Sequence, residues 1–307
     1  MAWRLHLTDR IVRRIDILSG KPNMLAAWTN TDHVYFMELQ NGGKLTDRMI
    51  EPPNTRASAM WTVFVKGLHA PNSVYLPTVR TAQGVVYQLA NGKKRLYRVS
   101  DSEVVLEVEG VETRLDTADH KMITLALDDA LVVGLDATGA LHYYRQTVHT
   151  ASIDTKMRLT DEMQPHLAIV EGGTGVFVSD GEQIALFDGE GILVKTMHTG
   201  YTVGALACSP DGTFLLTGDL DSNIIRVYNG KNFTPTHQRF AVDLLADAKK
   251  TQSISSALAA NTAVGTLAIT NKGVIVFAMS GMICATNLTR MTAMPNAKLI
   301  KAVESGK

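Results

Sequence analysis

The sequence has few of the features that mark secreted or membrane-spanning proteins. It contains two cysteines, Cys208 and Cys284, and each lies in an apolar, strand-like run. This context predicts that both cysteines are free and that their small side chains are buried. The alternative is a disulfide or a redox pair. The most apolar stretch, 274–285, has 12 residues. A helix that spans a bilayer needs about 20, so membrane insertion is not predicted.

Net charge is also absent. The chain has 30 Lys and Arg residues against 30 Asp and Glu residues, which gives a formal net charge of zero. No general attraction to nucleic acid or to an anionic membrane follows, so the predicted partners are proteins or small molecules. The N-terminus lacks an uninterrupted apolar segment with a small-residue cleavage site, so a secretory signal is not predicted. These observations predict a cytoplasmic protein.

Short apolar runs separated by turn signals fill most of the chain. The runs are rich in Val, Ile, Leu, Tyr and Thr, which favours strands over helices. Gly with Asn or Asp supplies the positive φ of tight hairpins. One class of these turns recurs near residues 31, 91, 138, 181, 221 and 280, roughly 40 to 60 residues apart. Four-stranded antiparallel blades repeat every 40 to 50 residues or so. The spacing predicts six blades, with seven as the alternative.

The clearest repeat unit begins at Leu193. An outer strand is followed by an inner strand that contains the small residues Gly204, Ala205, Ala207 and Cys208. A turn is then predicted at Ser209-Pro210-Asp211-Gly212, because proline presets φ and glycine closes the turn. Two further strands follow.

Within this unit, the segment 198–229 resembles one repeat of the WD40 family. His198 stands in the place of the histidine of the family's Gly-His dipeptide, and Asp211 and Gly212 lie in the family's common turn. Tyr228 and Asn229 replace the family's Trp-Asp pair.

The resemblance implies a structural hydrogen-bond network. Asp219 and Asp221 lie in the loop that carries a structural aspartate in the family, and the hydroxyl of Tyr228 keeps a donor where the family has tryptophan. His198 would be the histidine of this network. Three other histidines, His69, His120 and His166, also precede predicted inner strands.

The predicted fold is all-β, with a single β-propeller domain over residues 1–307. The C-terminal unit has three predicted strands, and the alternating segment 4–15 is expected to supply the fourth. Pairing of the N- and C-terminal strands would close the ring and remove exposed edges. The segments 50–70 and 240–261 fit the repeat poorly. The first is predicted to be an insertion or an extra strand, and the second an insertion that contains a short helix.

Catalytic signatures are missing from the sequence. There is no nucleophile elbow, P-loop, dinucleotide fingerprint, helical His-x-x-x-His or cysteine pair at zinc spacing. We therefore assign no catalytic residue, metal ligand or cofactor from the sequence. The predicted function is a non-catalytic protein-interaction scaffold or assembly subunit. The alternative is a propeller hydrolase or lactonase that holds a metal in its central channel through residues from separate blades.

Contacts with a partner are predicted in loops between strands. A basic cluster, an aromatic residue and an acidic turn supply the candidates: Lys93, Lys94 and Arg95; Tyr201; and Asp219, Asp221 and Asn223.

Overall fold

The computed structural model describes residues 2–6, 12–18, 24–29, 33–40, 44–49, 74–81, 84–91, 94–98, 103–108, 111–118, 120–128, 130–160, 165–247, 249–250, 263–279 and 282–294. The strands of this part form six sheets, which we number 1 to 6. Six sheets agree with the predicted repeat; that six is the blade count of the whole ring stays a prediction.

The first strand, β1 (Trp3–His6), belongs to the last sheet. The first three sheets then follow one another along the chain. Sheet 1 contains β2 (Val12–Leu18), β3 (Met24–Thr29), β4 (His33–Glu38) and β5 (Lys44–Met49). Sheet 2 contains β6 (Val74–Thr81), β7 (Gly84–Asn91), β8 (Lys94–Arg98), β9 (Val104–Val108) and β10 (Val111–Leu115). Sheet 3 contains β11 (Met122–Leu127), β12 (Val132–Asp136), β13 (Ala140–Arg145) and β14 (Val148–Asp154).

The next two sheets repeat this plan. Sheet 4 contains β15 (His166–Ile169), β16 (Gly175–Ser179), β17 (Gln183–Asp188) and β18 (Leu193–His198). Sheet 5 contains β19 (Val203–Cys208), β20 (Phe214–Asp219), β21 (Ile224–Asn229) and β22 (Pro235–Phe240).

Two short elements lead into the last sheet: the helix α1 (Ala241–Asp247) and the strand β23 (Lys249–Lys250). Sheet 6 contains β24 (Val264–Ile269), β25 (Val274–Met279) and β26 (Met282–Asn287), with β1 and β23 at its outer side. A final strand, β27 (Thr292–Ala293), returns to sheet 5.

The N-terminal strand completes the C-terminal sheet. β1 runs antiparallel to β26, with Trp3 opposite Ala285 and Leu5 opposite Ile283. The indole N–H of the buried Trp3 donates to the carbonyl of Leu39 in sheet 1 at 2.8 Å. The predicted pairing of first and last segments is therefore confirmed. Its extent is shorter than predicted, because the chain from Val12 onward forms the first strand of sheet 1.

The first strands of neighbouring sheets lie next to each other, as the blades of a propeller do. β2 contacts β24, β24 contacts β19, β19 contacts β15, and β15 contacts β11. The hydrophobic clusters lie between sheets: one, for example, joins Leu135 and Tyr143 of sheet 3 to Val176 and Phe187 of sheet 4. Each sheet buries apolar side chains on its neighbour, at about 25 cal/mol per Å² removed from water, so the sheets stabilise one another.

The two predicted insertions differ in what the structure describes. The segment 50–70 lies outside the described residues. In 240–261, the predicted helix is α1, which buries Ala241, Leu244 and Leu245 against sheets 5 and 6. The remainder, 251–261, lies outside the described residues.

Both cysteines are free and buried. They lie in different sheets, Cys208 in sheet 5 and Cys284 in sheet 6. Burial raises the pKa of each thiol to about 12, so the reactive thiolate is not formed at neutral pH. The expectation of small buried side chains is confirmed. Within the described residues, no helix is long and apolar enough to cross a membrane.

Candidate functional site

A cluster of histidine and aspartate side chains lies at one end of sheet 3. Its members come from three consecutive parts of the sheet: His120 from the connection that leads into β11, Asp136 from the end of β12, and His142 from β13. The tight turn after Asp136, which Gly139 closes at φ +87°, brings β13 back beside β12. The hairpin therefore sets His142 against Asp136. We call His120, Asp136 and His142 the histidine cluster.

Both oxygens of Asp136 are occupied. Oδ1 accepts from the backbone N–H groups of Thr138 (2.8 Å) and Ala140 (3.0 Å) and from the Thr138 hydroxyl (2.7 Å). Oδ2 lies 2.8 Å from His142 Nε2 and 3.1 Å from His120 Nδ1. Burial by itself raises the pKa of Asp136, but these hydrogen bonds outweigh it and hold the pKa at about 2. A buried, ionised carboxylate therefore faces two imidazole rings.

The cluster reaches the surface on two sides. Asp136 and His142 are buried, whereas 41% of the His120 side chain is exposed. On the other side, His142 Nδ1 lies 3.1 Å from Ser152 Oγ, which lies 2.9 Å from Nε2 of the exposed His149. Serine, histidine and aspartate are thus linked in series. The imidazole is turned the opposite way from that of a hydrolytic triad, in which Nε2 faces the serine.

A second network lies at the matching end of sheet 5. The Tyr201 hydroxyl lies 2.6 Å from Thr217 Oγ1 and 2.8 Å from the Tyr228 hydroxyl. The Arg226 guanidinium lies 3.9 Å from the centre of the Tyr201 ring and donates to Asp219 Oδ2 at 2.8 Å. A cation–π contact and an ion pair thus close this network.

The two networks occupy equivalent positions. His120 and Tyr201 each lie two residues before the first strand of their sheet, and Asp136 and Asp219 each end the second strand. The third residue of the third strand is His142 in sheet 3 and Arg226 in sheet 5. The same backbone frame therefore carries nitrogen ligands in one sheet and a cation with an aromatic ring in the other.

The residues predicted to be structural separate into two groups. Asp211 and Gly212 form the predicted turn: Gly212, at φ +69°, donates its N–H to the Ser209 carbonyl at 2.9 Å, and Asp211 accepts from the Ser209 hydroxyl at 2.6 Å. His198 instead lies exposed at the end of β18, opposite Gln183.

The hydroxyl of Tyr228 does take part in a network, as the sequence suggested. Its partner is Tyr201, three residues after His198. Tyr201 was predicted to contact a partner protein. The structure places its hydroxyl within hydrogen-bond distance of Thr217 and Tyr228, and its contact with a partner stays a prediction.

The other predicted contact residues are the basic cluster at β8 and the acidic turn after β20. Lys93 is outside the described residues, and Lys94 and Arg95 lie in β8, where the backbone alone is described. Asp219 is buried. Its carboxylate accepts hydrogen bonds from the backbone of Asp221 and Ser222 and from the side chains of Ser222 and Arg226.

Two residues of the acidic turn remain nearer the surface. Asp221 is exposed, and Asn223 is half-buried at φ +58°, with its carbonyl accepting from the N–H of Ala241. Contact of these residues with a partner stays a prediction.

The histidine cluster was missed by the sequence analysis. The position of His120 ahead of an inner strand was one signal for it, and the Asp-x-Thr-Gly turn after Leu135 was another. The three side chains come from a connection, a strand end and a strand, so their spacing matches no linear ligand motif.

Comparison with known proteins gives similarity of structure alone. No family model matches the chain, and no curated protein sequence matches it. The β-propeller domain of Cps50 (Swd1) from Myceliophteria thermophila is similar, with a TM-score of 0.63 and 10% identity over 92% of this chain and 97% of that domain. The WD40 β-propeller domain of Doa1 has a TM-score of 0.58 and 11% identity, over 94% of this chain and 96% of that one.

A third structure agrees with these two. KlHsv2 with its loop 6CD replaced by a Gly-Ser linker has a TM-score of 0.53 and 9% identity, over 89% of this chain and 90% of that one. All three likenesses cover almost the whole length of both chains. Together with the repeated antiparallel sheets and the pairing of β1 with β26, they establish that this chain has the fold of a WD40-like β-propeller.

Proposed function

We propose that the protein is a non-catalytic interaction scaffold that binds an extended segment of a partner protein along β18, the outer strand of sheet 4. The observation that carries the proposal is the exposure of consecutive large apolar side chains there. Ile192, Leu193 and Val194 are 65%, 51% and 55% exposed. Contiguous apolar groups on a surface mark sites of protein interaction.

The free edge of β18 supports the same proposal. Short strands cover the outer edges of sheets 5 and 6, where β27 pairs with β22 and β23 pairs with β1. In the part of the chain that the structure describes, β18 pairs with β17 alone. An uncovered edge offers backbone N–H and C=O groups that an extended peptide can pair with. Lys195 is exposed in the middle of β18. A lysine on a strand edge disfavours association of that edge with another uncharged strand edge, such as occurs in aggregation.

The neighbouring sheet extends this surface. Val148, at the start of β14 in sheet 3, is 63% exposed. Arg145 joins the two sheets, since its Nη2 donates to the Gly189 carbonyl at 2.8 Å and to Glu190 Oε1 at 2.7 Å. The turns that precede β14 and β18 thus lie side by side. A partner that pairs with β18 would also reach apolar surface on sheet 3.

Site-specific crosslinking tests the proposal. A photo-crosslinking amino acid at Leu193 should capture a partner segment in cells, whereas the same amino acid at Lys231, which is exposed in the turn after β21, should not. A peptide of the captured segment should then bind the purified protein, and Leu193→Asp should weaken binding by about tenfold or more, because it places a charge against apolar contacts. Lys231→Glu should leave binding unchanged. Equal capture at both positions, or binding that Leu193→Asp does not alter, would contradict the proposal.

A further inference from the structure

The histidine cluster of sheet 3 has the composition of a metal site. We propose that His120, Asp136 and His142 bind one divalent transition-metal ion of the Zn²⁺ class, with water as the fourth ligand. The site is independent of the β18 surface and involves no residue assigned a role by the sequence analysis.

The donor atoms favour this class of ion. His120 Nδ1, Asp136 Oδ2 and His142 Nε2 all lie within 4.8 Å of one another. Neighbouring ligands of tetrahedral zinc lie about 3.4 Å apart, because zinc–nitrogen and zinc–oxygen bonds are near 2.0 to 2.1 Å. Binding an ion would lengthen the two carboxylate–imidazole distances, now 2.8 and 3.1 Å, by about 0.3 to 0.6 Å. The two imidazole nitrogens, which lie within 4.8 Å of each other, would have to move closer together. Two imidazoles and one carboxylate suit zinc and its neighbours better than Mg²⁺ or Ca²⁺, which prefer oxygen ligands.

The groups behind the ligands are those that metal sites use. The second ring nitrogen of His142 lies 3.1 Å from Ser152 Oγ, so the ring orientation is set from behind. The oxygen of Asp136 that does not face the imidazoles accepts three hydrogen bonds from Thr138 and Ala140. The carboxylate is therefore fixed in position, with its other oxygen directed at the two imidazoles.

Access and adaptability lie on the His120 side. His120 belongs to a connection rather than to a strand and is partly exposed, while the other two ligands are buried. A metal ion would enter past His120 and keep one position open to solvent. Three protein ligands and an open position are the coordination of a zinc site that exchanges its fourth ligand.

Sheet 5 shows that this corner of a sheet needs no pair of imidazoles. Tyr201 and Arg226 occupy the positions of His120 and His142, and Arg226 pairs with Asp219 as His142 pairs with Asp136. A cation on the third strand there pairs with the aspartate in place of an imidazole. The comparison also supplies a variant, His142→Arg, which should keep the ion pair with Asp136 and remove a ligand.

Titration of the purified full-length chain with Zn²⁺ tests the proposal. After treatment with a chelator, calorimetry should show one high-affinity ion per chain, and Co²⁺ in its place should give the intense visible absorption of a tetrahedral site. His120→Gln and His142→Arg should each lower the affinity by more than about 100-fold, since even loss of an outer-shell partner costs about 10- to 100-fold. His237→Gln, which changes a histidine of sheet 5 outside the cluster, should bind as the unmodified protein does.

Folding of the variants is checked by thermal unfolding without metal, in which His142→Arg should unfold within a few degrees of the unmodified protein. Added Zn²⁺ should raise the unfolding temperature of the unmodified protein and of His237→Gln, but not that of His120→Gln or His142→Arg. No stoichiometric Zn²⁺ binding by the unmodified chain would overturn the proposal and leave the cluster a hydrogen-bonded network. Binding that survives both ligand substitutions would overturn it too, because the ion would then lie elsewhere.

Discussion

At the scale of single residues, the blades differ in how they satisfy buried hydroxyl groups. The Tyr228 hydroxyl is bonded to that of Tyr201, whereas the hydroxyl of Tyr143, also buried, has no hydrogen-bond partner among the residues that the structure describes. A buried polar group without a partner costs free energy, and one with a partner contributes about 1 kcal/mol. The same chemical change should therefore have opposite effects at the two positions.

We expect Tyr228→Phe to lower the free energy of unfolding by about 1 kcal/mol or more, because it also leaves Tyr201 one partner short. Tyr143→Phe should leave the free energy unchanged or raise it. Urea denaturation of both variants measures the difference, provided that the slope of the transition is the same in each. A larger loss in Tyr143→Phe than in Tyr228→Phe would show that the network of sheet 5 does not stabilise the fold.

The carboxylate of Asp219 makes stability depend on pH. Burial raises its pKa, but hydrogen bonds from Ser222 and Arg226 outweigh that effect and bring the pKa below the usual value. The unfolded chain then takes up the proton at a higher pH than the folded chain does. The contribution of Asp219 is therefore complete above about pH 4, the ordinary value, and is lost as the pH falls through the lowered pKa.

Asp219→Asn should consequently flatten the fall in unfolding free energy below about pH 4. Asp221→Asn, which changes an exposed carboxyl in the same turn, is the control and should keep the slope of the unmodified protein. Denaturant titrations between pH 3 and pH 6 or so measure both slopes. If the two variants give the same acid dependence, Asp219 is not the group responsible.

At the scale of the element, the turn 209–212 does more than reverse the chain. Its Pro210 carbonyl accepts from the N–H of Glu171 in sheet 4 at 2.8 Å, and its Asp211 N–H donates to Asn271 Oδ1 in sheet 6 at 3.0 Å. A hairpin turn of sheet 5 thus links three sheets. Glycine is required at position 212 for two reasons. Its φ is +69°, and an added Cβ would lie 3.1 Å from two methyl groups of Val170.

Gly200 provides a matched control for this turn. Its φ is +70°, and nothing lies within 4 Å of an added Cβ. Gly200→Ala should cost about 1 kcal/mol, the strain of the left-handed backbone alone. Gly212→Ala should cost at least about 1 kcal/mol more, because Val170 must also move. Thermal or chemical unfolding compares the two. Equal losses would mean that the contact with sheet 4 relaxes freely.

Strands and hairpin turns could be predicted from this sequence because their signals are local. The Ser-Pro-Asp-Gly turn and the strands on either side of it are where the residues indicate, and so is the helix within 240–261. The network residues could not be predicted equally well, because they depend on the register of connections between sheets. Tyr201, and not His198, contacts Tyr228 because the connection between β18 and β19 reverses direction after His198. A shift of three residues along this connection changes which side chain lies beside Tyr228. His120 and His142 are brought together by the same kind of connection.

At the scale of the whole molecule, the sheets depend on one another for their cores. Buried clusters join sheets 2 and 3, 3 and 4, 4 and 5, 5 and 6, and 6 and 1. The last of these includes Trp3 and Leu5 from the N-terminal strand together with Ile283 from sheet 6. The N-terminal strand therefore completes a core that sheets 1 and 6 share. If β1 separates from β26, an apolar face and a strand edge of sheet 6 become exposed together.

A covalent link between β1 and β26 tests their pairing and the effect of joining them on the free energy of unfolding. Arg4 lies directly opposite Cys284 in the pairing of β1 with β26. Residues opposite each other on antiparallel strands have Cα atoms about 4.5 to 5.5 Å apart, within the range that a disulfide spans. Arg4→Cys should therefore form a disulfide with the native Cys284 under mild oxidation, with Arg4→Cys/Cys284→Ser as the variant that cannot.

The oxidised protein should be more stable than its own reduced form by about 2 to 4 kcal/mol, since the link constrains nearly the whole unfolded chain. Comparing the two redox forms of one variant cancels the cost of losing the Arg4 contacts with the Leu245 carbonyl. Failure of the disulfide to form would contradict the register of β1. Equal stability of the two forms would show that strain in the linked strands offsets the constraint on the unfolded chain.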